Sequence, residues 1–210
     1  MKVFNLFIFL LLILFLSCKN TLEKPLPIYN PAHFNPELVD PSLRDKTEYH
    51  TVSDFKLINQ NGDTITQNDY KDKIYIADFF FTSCKTICPM MTNNMAEIQN
   101  TFLKDDDVML LSLSVTPEID SVSILNEYAT NKGAIDSKWN ITTGNKKHIY
   151  NLARKSYFAV VEQGDGGLQD FIHTPNFILI DKKKQIRGIY DGTSTEDIKQ
   201  IIEDIRILKH

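Results

Sequence analysis

Residues 74–91 read IYIADFFFTSCKTICPMM, and their reading decides the fold. Ile74 to Ala77 and Phe79 to Phe81 form an apolar run of strand length, the pattern of a strand covered on both faces. Thr82 and Ser83 break the run as a turn or helix cap would. Cys84 and Cys88 follow, then Pro89 and a helix-like pattern continuing to Leu103. A strand, a cysteine-bearing turn and a helix make half of a βαβ unit. The start of a helix offers unpaired N–H groups and partial positive charge, so a thiol placed there ionises more readily.

Three residues separate the cysteines, one more than in Cys-X-X-Cys. Positions i and i+4 share one face of a helical turn, so both sulfurs can meet one ion or each other. Paired thiolates are soft ligands suited to Cu(I), zinc or an iron–sulfur cluster. On spacing alone a metal site, a redox disulfide and plain structure all stay open.

At 210 residues, with a hydrophobic content of 42%, the chain suits one globular domain plus a leader. Its net charge of −4, with Lys and Arg scattered along the sequence, argues against nucleic acid as a partner. The first 17 residues read as an export signal: a basic start at Lys2, an apolar run from Val3 to Leu16, then Ser17. Phe15-Leu16-Ser17-Cys18 resembles a bacterial lipobox, which implies cleavage before Cys18 and lipid on its sulfur. An uncleaved anchor helix is the other reading. Both tie the chain to a membrane with its body outside the cytoplasm. Of three cysteines, Cys84 and Cys88 then remain, in a compartment where disulfides persist.

Residues 18–48 carry Pro25, Pro27, Pro31, Pro36 and Pro41 and read as a tether, and residues 49–210 as the folded domain. His33 and His50 read as solvated. Val52–Ile58 and Thr64–Thr66 flank a hairpin turn at residues 59–63. Strands are expected at Lys73–Phe81, Val108–Val115, Trp139–Thr142, Tyr157–Val161, Asn176–Asp181 and Gln185–Tyr190. Thr116-Pro117-Glu118 reads as the start of a helix ending at Gly133, and Asn145 as the cap of a helix to Ser156. Residues 162–170 read as a Gly-bearing loop, and a last helix spans Thr195 to Leu208. Asp105-Asp106-Asp107 reads as a solvated turn. Alternating strands and helices closed by a hairpin and helix indicate a mixed α/β sandwich.

Asp78, six residues before Cys84, and Pro175, just before a strand, complete an arrangement that resembles thioredoxin-like folds. There a buried acid lies under the cysteine pair and a cis proline faces it. DFFFTSCKTICP (78–89) with FIHTPNFILID (171–181) is more closely similar to the Sco/SenC family of copper-handling, membrane-anchored proteins. Ser114-Val115-Thr116-Pro117 with Asp120, and Trp139 to Gly144, also match family segments, so the likeness runs from Asp54 to Leu208. It implies a three-layer α/β/α sandwich with an added N-terminal β-hairpin, and a copper ion held by Cys84, Cys88 and His173. It further implies copper delivery to cytochrome c oxidase at its CuA centre, from an exported protein anchored through Cys18 and facing the periplasm. The alternative is a thiol–disulfide oxidoreductase in which Cys84 attacks, Cys88 resolves and Asp78 accepts a proton. A peroxide-reducing redoxin has no marker beyond the same pair. The chain departs from the family in having Ile172, where Asp often precedes the histidine, and Lys85-Thr86-Ile87 between the cysteines. His148 and His210 keep an ordinary surface reading.

Overall fold

The computed structural model describes residues 25–30, 49–160, 163–164, 166–167 and 169–210. Its centre is the strand β3 (Ile74–Phe80), whose seven residues are all buried. Two more core strands, β4 (Val108–Ser114) and β5 (Trp139–Thr143), run parallel to it in order, Ile74 beside Val108 and Leu110 beside Trp139. On the other side β6 (Asn176–Ile180) pairs antiparallel with β3, and β7 (Ile186–Asp191) with β6. The hairpin β1 (Lys56–Asn59) and β2 (Thr64–Thr66) adds to β5, giving the seven-stranded order β2-β1-β5-β4-β3-β6-β7.

Strand alternation divides the core. Ile74, Ile76 and Phe80 face a layer made by α1 (Cys88–Thr101), α2 (Val122–Lys132) and α4 (Thr195–Lys209). Tyr75, Ala77 and Phe79 face the other layer, where α3 (Lys146–Asn151) continues into a π turn at Leu152–Ser156. Each helix has a local reason to stand where it does. Met91, Met95 and Ile98 give α1 one fully buried stripe, as Ile198, Ile201 and Ile205 do for α4. Ser121, Asn145 and Ser194 cap α2, α3 and α4 through their side chains. Gly133 ends α2 at φ 68, the left-handed conformation that glycine adopts without a steric cost.

Four expectations from the sequence need correction, three of backbone and one, His50, of a side chain. Thr116-Pro117-Glu118 does not open a helix. Ile119 and Asp120 donate their N–H groups to the Thr116 carbonyl at 2.9 Å, closing a turn, and α2 begins after Ser121. Residues 157–160 are not a strand: Phe158 sits at φ 50, which breaks the extended path, and the Tyr157 hydroxyl pairs in the core with that of Tyr75 at 3.0 Å. Val161 lies outside the described residues. Pro175 is not cis, since no described peptide bond is. Thr174 already turns the chain into β6 by accepting the Asn176 N–H on its hydroxyl, and the ordinary trans preference of X–Pro bonds then stands.

Pro25–Asn30 lies across the edge of β7. Tyr29 donates its N–H to the Ile186 carbonyl at 2.9 Å, and the Arg187 guanidinium holds the carbonyls of Leu26 and Pro27. The same guanidinium meets Asp181, which opens the β6–β7 turn, at 2.8 Å. His50 is not solvated: it is half-buried, with Nε2 2.7 Å from the Ser156 carbonyl and its ring 4.6 Å from that of Phe158. Cys18 and His33 fall outside the described residues. Among the described residues no helix is long and apolar enough to cross a membrane.

Candidate metal centre

The two cysteines meet where β3 ends and α1 begins. Cys84 closes a turn by donating its N–H to the Phe81 carbonyl at 3.3 Å. Cys88 is the first residue of α1, so its N–H has no partner within the helix. It points instead at the Cys84 sulfur, 3.4 Å away. The Thr86 hydroxyl approaches the same sulfur at 3.5 Å. Both side chains are free thiols and both are buried, Cys84 at 8% exposure and Cys88 at 2%.

This environment separates the two sulfurs chemically. Burial opposes the Cys84 thiolate, but the Thr86 hydroxyl, the Cys88 thiol and backbone N–H groups all donate to it. Together they bring Cys84 down to about 6. Cys88 is pushed up to about 12, first by burial and then because its thiol proton is engaged by Cys84. Cys84 is therefore the more readily ionised of the two thiols, while Cys88 holds its proton.

Beneath them, on the α1 side of the sheet, Asp78 is buried at 2% exposure. Ser112 donates to its Oδ1 at 2.5 Å, and the Trp139 indole N–H donates to the Ser112 hydroxyl at 2.9 Å. Burial dominates over that hydrogen bond and raises the Asp78 carboxyl to about 7. Within α1, Thr92 donates to the Cys88 carbonyl at 2.7 Å and meets the hydroxyl of Tyr128 on α2 at 2.6 Å, while the Tyr128 ring lies 5.4 Å from that of Phe80.

A second buried acid holds the approach to Cys84. Asp120, fully buried, accepts from the Thr82 hydroxyl at 2.5 Å, the Thr82 N–H at 3.3 Å, Ser114 at 2.5 Å and Thr116 at 3.0 Å. These bonds tie the residue two places before Cys84 to the end of β4. Asp120 stands out in the sequence only as part of a matching segment. Its role needs the chain to bring Thr82 and Ser114 together, which neighbouring strands β3 and β4 do.

His173 stands at the lip of the site rather than in it. Its exposed ring is 6.1 Å from that of Phe81 and 6.4 Å from that of Phe171, on which it stacks. Among the described residues no three His, Cys, Asp or Glu side chains are gathered closely enough to hold a metal ion. So the structure joins Cys84 to Cys88 and places His173 against Phe81, which opens the cysteine turn, without bringing it to the sulfurs. The residue before it, Ile172, is buried at 2% in the core below. An aspartate there has no place in this packing. Asp170 anchors the near end of the segment through a bidentate pair with Arg154, both bonds 2.7 Å. Thr174 anchors the far end by donating to the Ala159 carbonyl at 3.0 Å.

A thioredoxin-like sheet, with a cysteine pair at the strand-to-helix turn and a histidine on a neighbouring segment, defines a class of thiol-bearing protein. Residues 44–210 match the SCO1/SenC family model, and the chain belongs to that family. It is 32% identical over 166 residues to an SCO1 protein homolog of Bacillus subtilis, covering 78% of this chain and 85% of that one. A SCO1/SenC family lipoprotein from Bacillus anthracis has a similar structure, with TM-score 0.68, 31% identity, and coverage of 80% here and 99% there. BsSco, a member of the Sco family of cytochrome c oxidase assembly proteins with an identified disulfide switch, superposes with TM-score 0.65 at 31% identity, covering 79% and 96%. Arabidopsis thaliana ScoI with copper bound gives TM-score 0.58 at 25% identity, covering 74% and 98%.

Proposed function

We propose that this chain is an exported, lipid-anchored copper carrier that serves cytochrome c oxidase assembly, with copper as its cargo. In this reading residues 1–17 direct export, Cys18 carries the lipid, and the domain faces the periplasm. Cys84 and Cys88 supply two thiolates and His173 an imidazole, a set that satisfies Cu(I) in three-coordinate form. The observation that carries the reading is the convergence of the Cys88 N–H and the Thr86 hydroxyl on the Cys84 sulfur, in a family with a copper-bound member. The outward position of His173 suits a cargo site. Two ligands wait at a fixed turn, and the third arrives when the exposed His173 side chain turns inward while Ile172 stays in the core, so release reverses the same motion.

A second reading is favoured by the separated thiols. Cys84 thiolate attacks a partner's disulfide, forming a mixed disulfide and releasing one partner thiolate. Cys88 then loses its proton, to Asp78 when that carboxyl is ionised, and attacks the Cys84 sulfur. The second partner thiolate leaves, so this chain ends oxidised and its partner reduced.

Competition titration with a Cu(I) chelator tests the first reading on three proteins: the wild type, a Cys84→Ser/Cys88→Ser variant, and His173→Ala. The expected order of affinity is wild type, then His173→Ala, then the double variant with no competitive binding. Equal affinity of wild type and double variant overturns copper carriage. Equal affinity of wild type and His173→Ala removes the imidazole from the ligand set and leaves the dithiol reading ahead.

A further inference from the structure

The end of the sheet opposite the cysteines carries its own pattern. β3 rises toward Cys84 from Ile74, whose N–H bonds the Asp107 carbonyl at 2.8 Å, so the Asp105–Asp107 turn marks the far pole. Four other pieces of chain are tied to that turn. Lys73 donates to the Asp106 carbonyl at 2.6 Å, Lys182 pairs with Asp107 at 2.8 Å, and Lys209 at the end of α4 pairs with Asp105. Lys138, itself buried, donates to the Asp105 carbonyl and, at 2.9 Å, to that of Val108. Lys71 and Lys183 are exposed beside them. With Arg187 added to these six lysines, and Asp72 and Asp181 set against them beside the three aspartates of the turn, basic groups outnumber acidic ones seven to five at this pole, in a chain whose net charge is −4.

The N-terminal segment comes to the same place. Leu26 and Pro27 share the Arg187 guanidinium with Asp181, at the β6–β7 turn that holds Lys182 and Lys183. Only seven residue steps separate Cys18 from Pro25, and an extended chain of that length spans at most ~25 Å. A lipid on Cys18 therefore leashes this pole, and the docked segment keeps residues 31–48 from lengthening the leash. The seven residues of β3 place the cysteines a further ~20 Å away.

We propose that the lysine-bearing pole is a membrane-facing surface that rests on anionic phospholipid headgroups, so that Cys84, Cys88 and His173 point away from the bilayer. The inference rests on the lipid anchor of the proposed function. Surface lysines gain from an anionic leaflet over about one Debye length, and the leash keeps them within that reach. The recipient of the cargo must then present its own site well above the headgroups, on an extramembrane domain.

The test is lysine footprinting with an amine-reactive ester on the full lipidated chain in vesicles, read by mass spectrometry after flotation. Vesicles of phosphatidylcholine alone are compared with vesicles in which about a third of the lipid is phosphatidylglycerol. Lys71, Lys183 and Lys209 are expected to label roughly threefold more slowly on the anionic vesicles, with the difference erased in high salt. Lys85, exposed between the cysteines, is expected to label equally on both. Equal labelling of the pole lysines on the two vesicle types, or protection of Lys85 instead, overturns the orientation while leaving the anchor intact. A chain that does not float with the vesicles removes the anchor, and the orientation with it.

Discussion

The cysteines and His173 reach the same corner of the molecule from segments held in different ways. The cysteine turn grows out of a fully buried strand, is bonded to Asp120 through Thr82, and runs directly into α1. The histidine segment is held at its ends, by Asp170 on Arg154 and by Thr174 on Ala159, and in its middle by Ile172 in the core, while Phe171 and His173 on either side face outward, Phe171 at 51% exposure. One half of this corner is thus built into the sheet and helix, and the other presents an exposed aromatic and an exposed imidazole on a backbone held from below.

The largest measurable contrast lies inside the fixed half. With Cys84 held near 6 and Cys88 near 12, alkylation by iodoacetamide at pH 7 should modify Cys84 at least ~100-fold faster. The rate at Cys84 should rise through a midpoint near pH 6. Mass spectrometry of partly alkylated, reduced protein checks this, and two thiols titrating together near pH 8.5 would contradict the separation.

Asp120→Ala breaks the anchoring of the fixed half. It strands donors from Thr82, Ser114 and Thr116, and the expected loss is ~3 kcal/mol of folding stability in urea titrations. A loss under half that size would mean that the turn before Cys84 is held by something else.

Asp78→Asn sharpens the picture in the opposite direction. The folded carboxyl titrates near 7 and the unfolded one near its ordinary value of 3.8, so between these the folded state binds the extra proton. Stability therefore falls as pH rises through that window, and the wild type bears the full cost above pH 7. The amide removes the cost. The variant should gain on the order of 4 kcal/mol over wild type at pH 8, and that gain should vanish below pH 4. A gain of equal size at both pH values would exclude ionisation as its source.

Phe171→Ala probes the outward face of the histidine segment and should be nearly silent in stability, within ~0.5 kcal/mol, because its ring is half exposed. A cooperative loss of several times that amount would show that the Phe171 ring, and not Ile172 alone, ties the segment to the core.

Much of this was legible in the letters because it is local. An unbroken apolar run marks β3, the cysteine spacing marks the turn, and Met91, Met95 and Ile98 mark the buried face of α1. What the letters hid depends on distant pairing. Tyr157 looks like strand but spends its hydroxyl on Tyr75, and Thr116 looks like a helix cap but serves Asp120. Pro175 fits the expected cis position by its neighbours in sequence, yet Thr174 settles the turn without it. Pro25 and Pro27 read as spacer, although an arginine 160 residues along from Pro27 holds that stretch to the sheet edge.

The chain has one tryptophan, and it is wired to the floor of the site. Trp139 is buried at 1% exposure and donates to Ser112, which in turn donates to Asp78. A charge appearing on that carboxylate polarises the hydroxyl and, through it, the indole. The emission of the unlabelled protein is thus an optical gauge of what happens under the sulfurs, readable in a cuvette without any added dye.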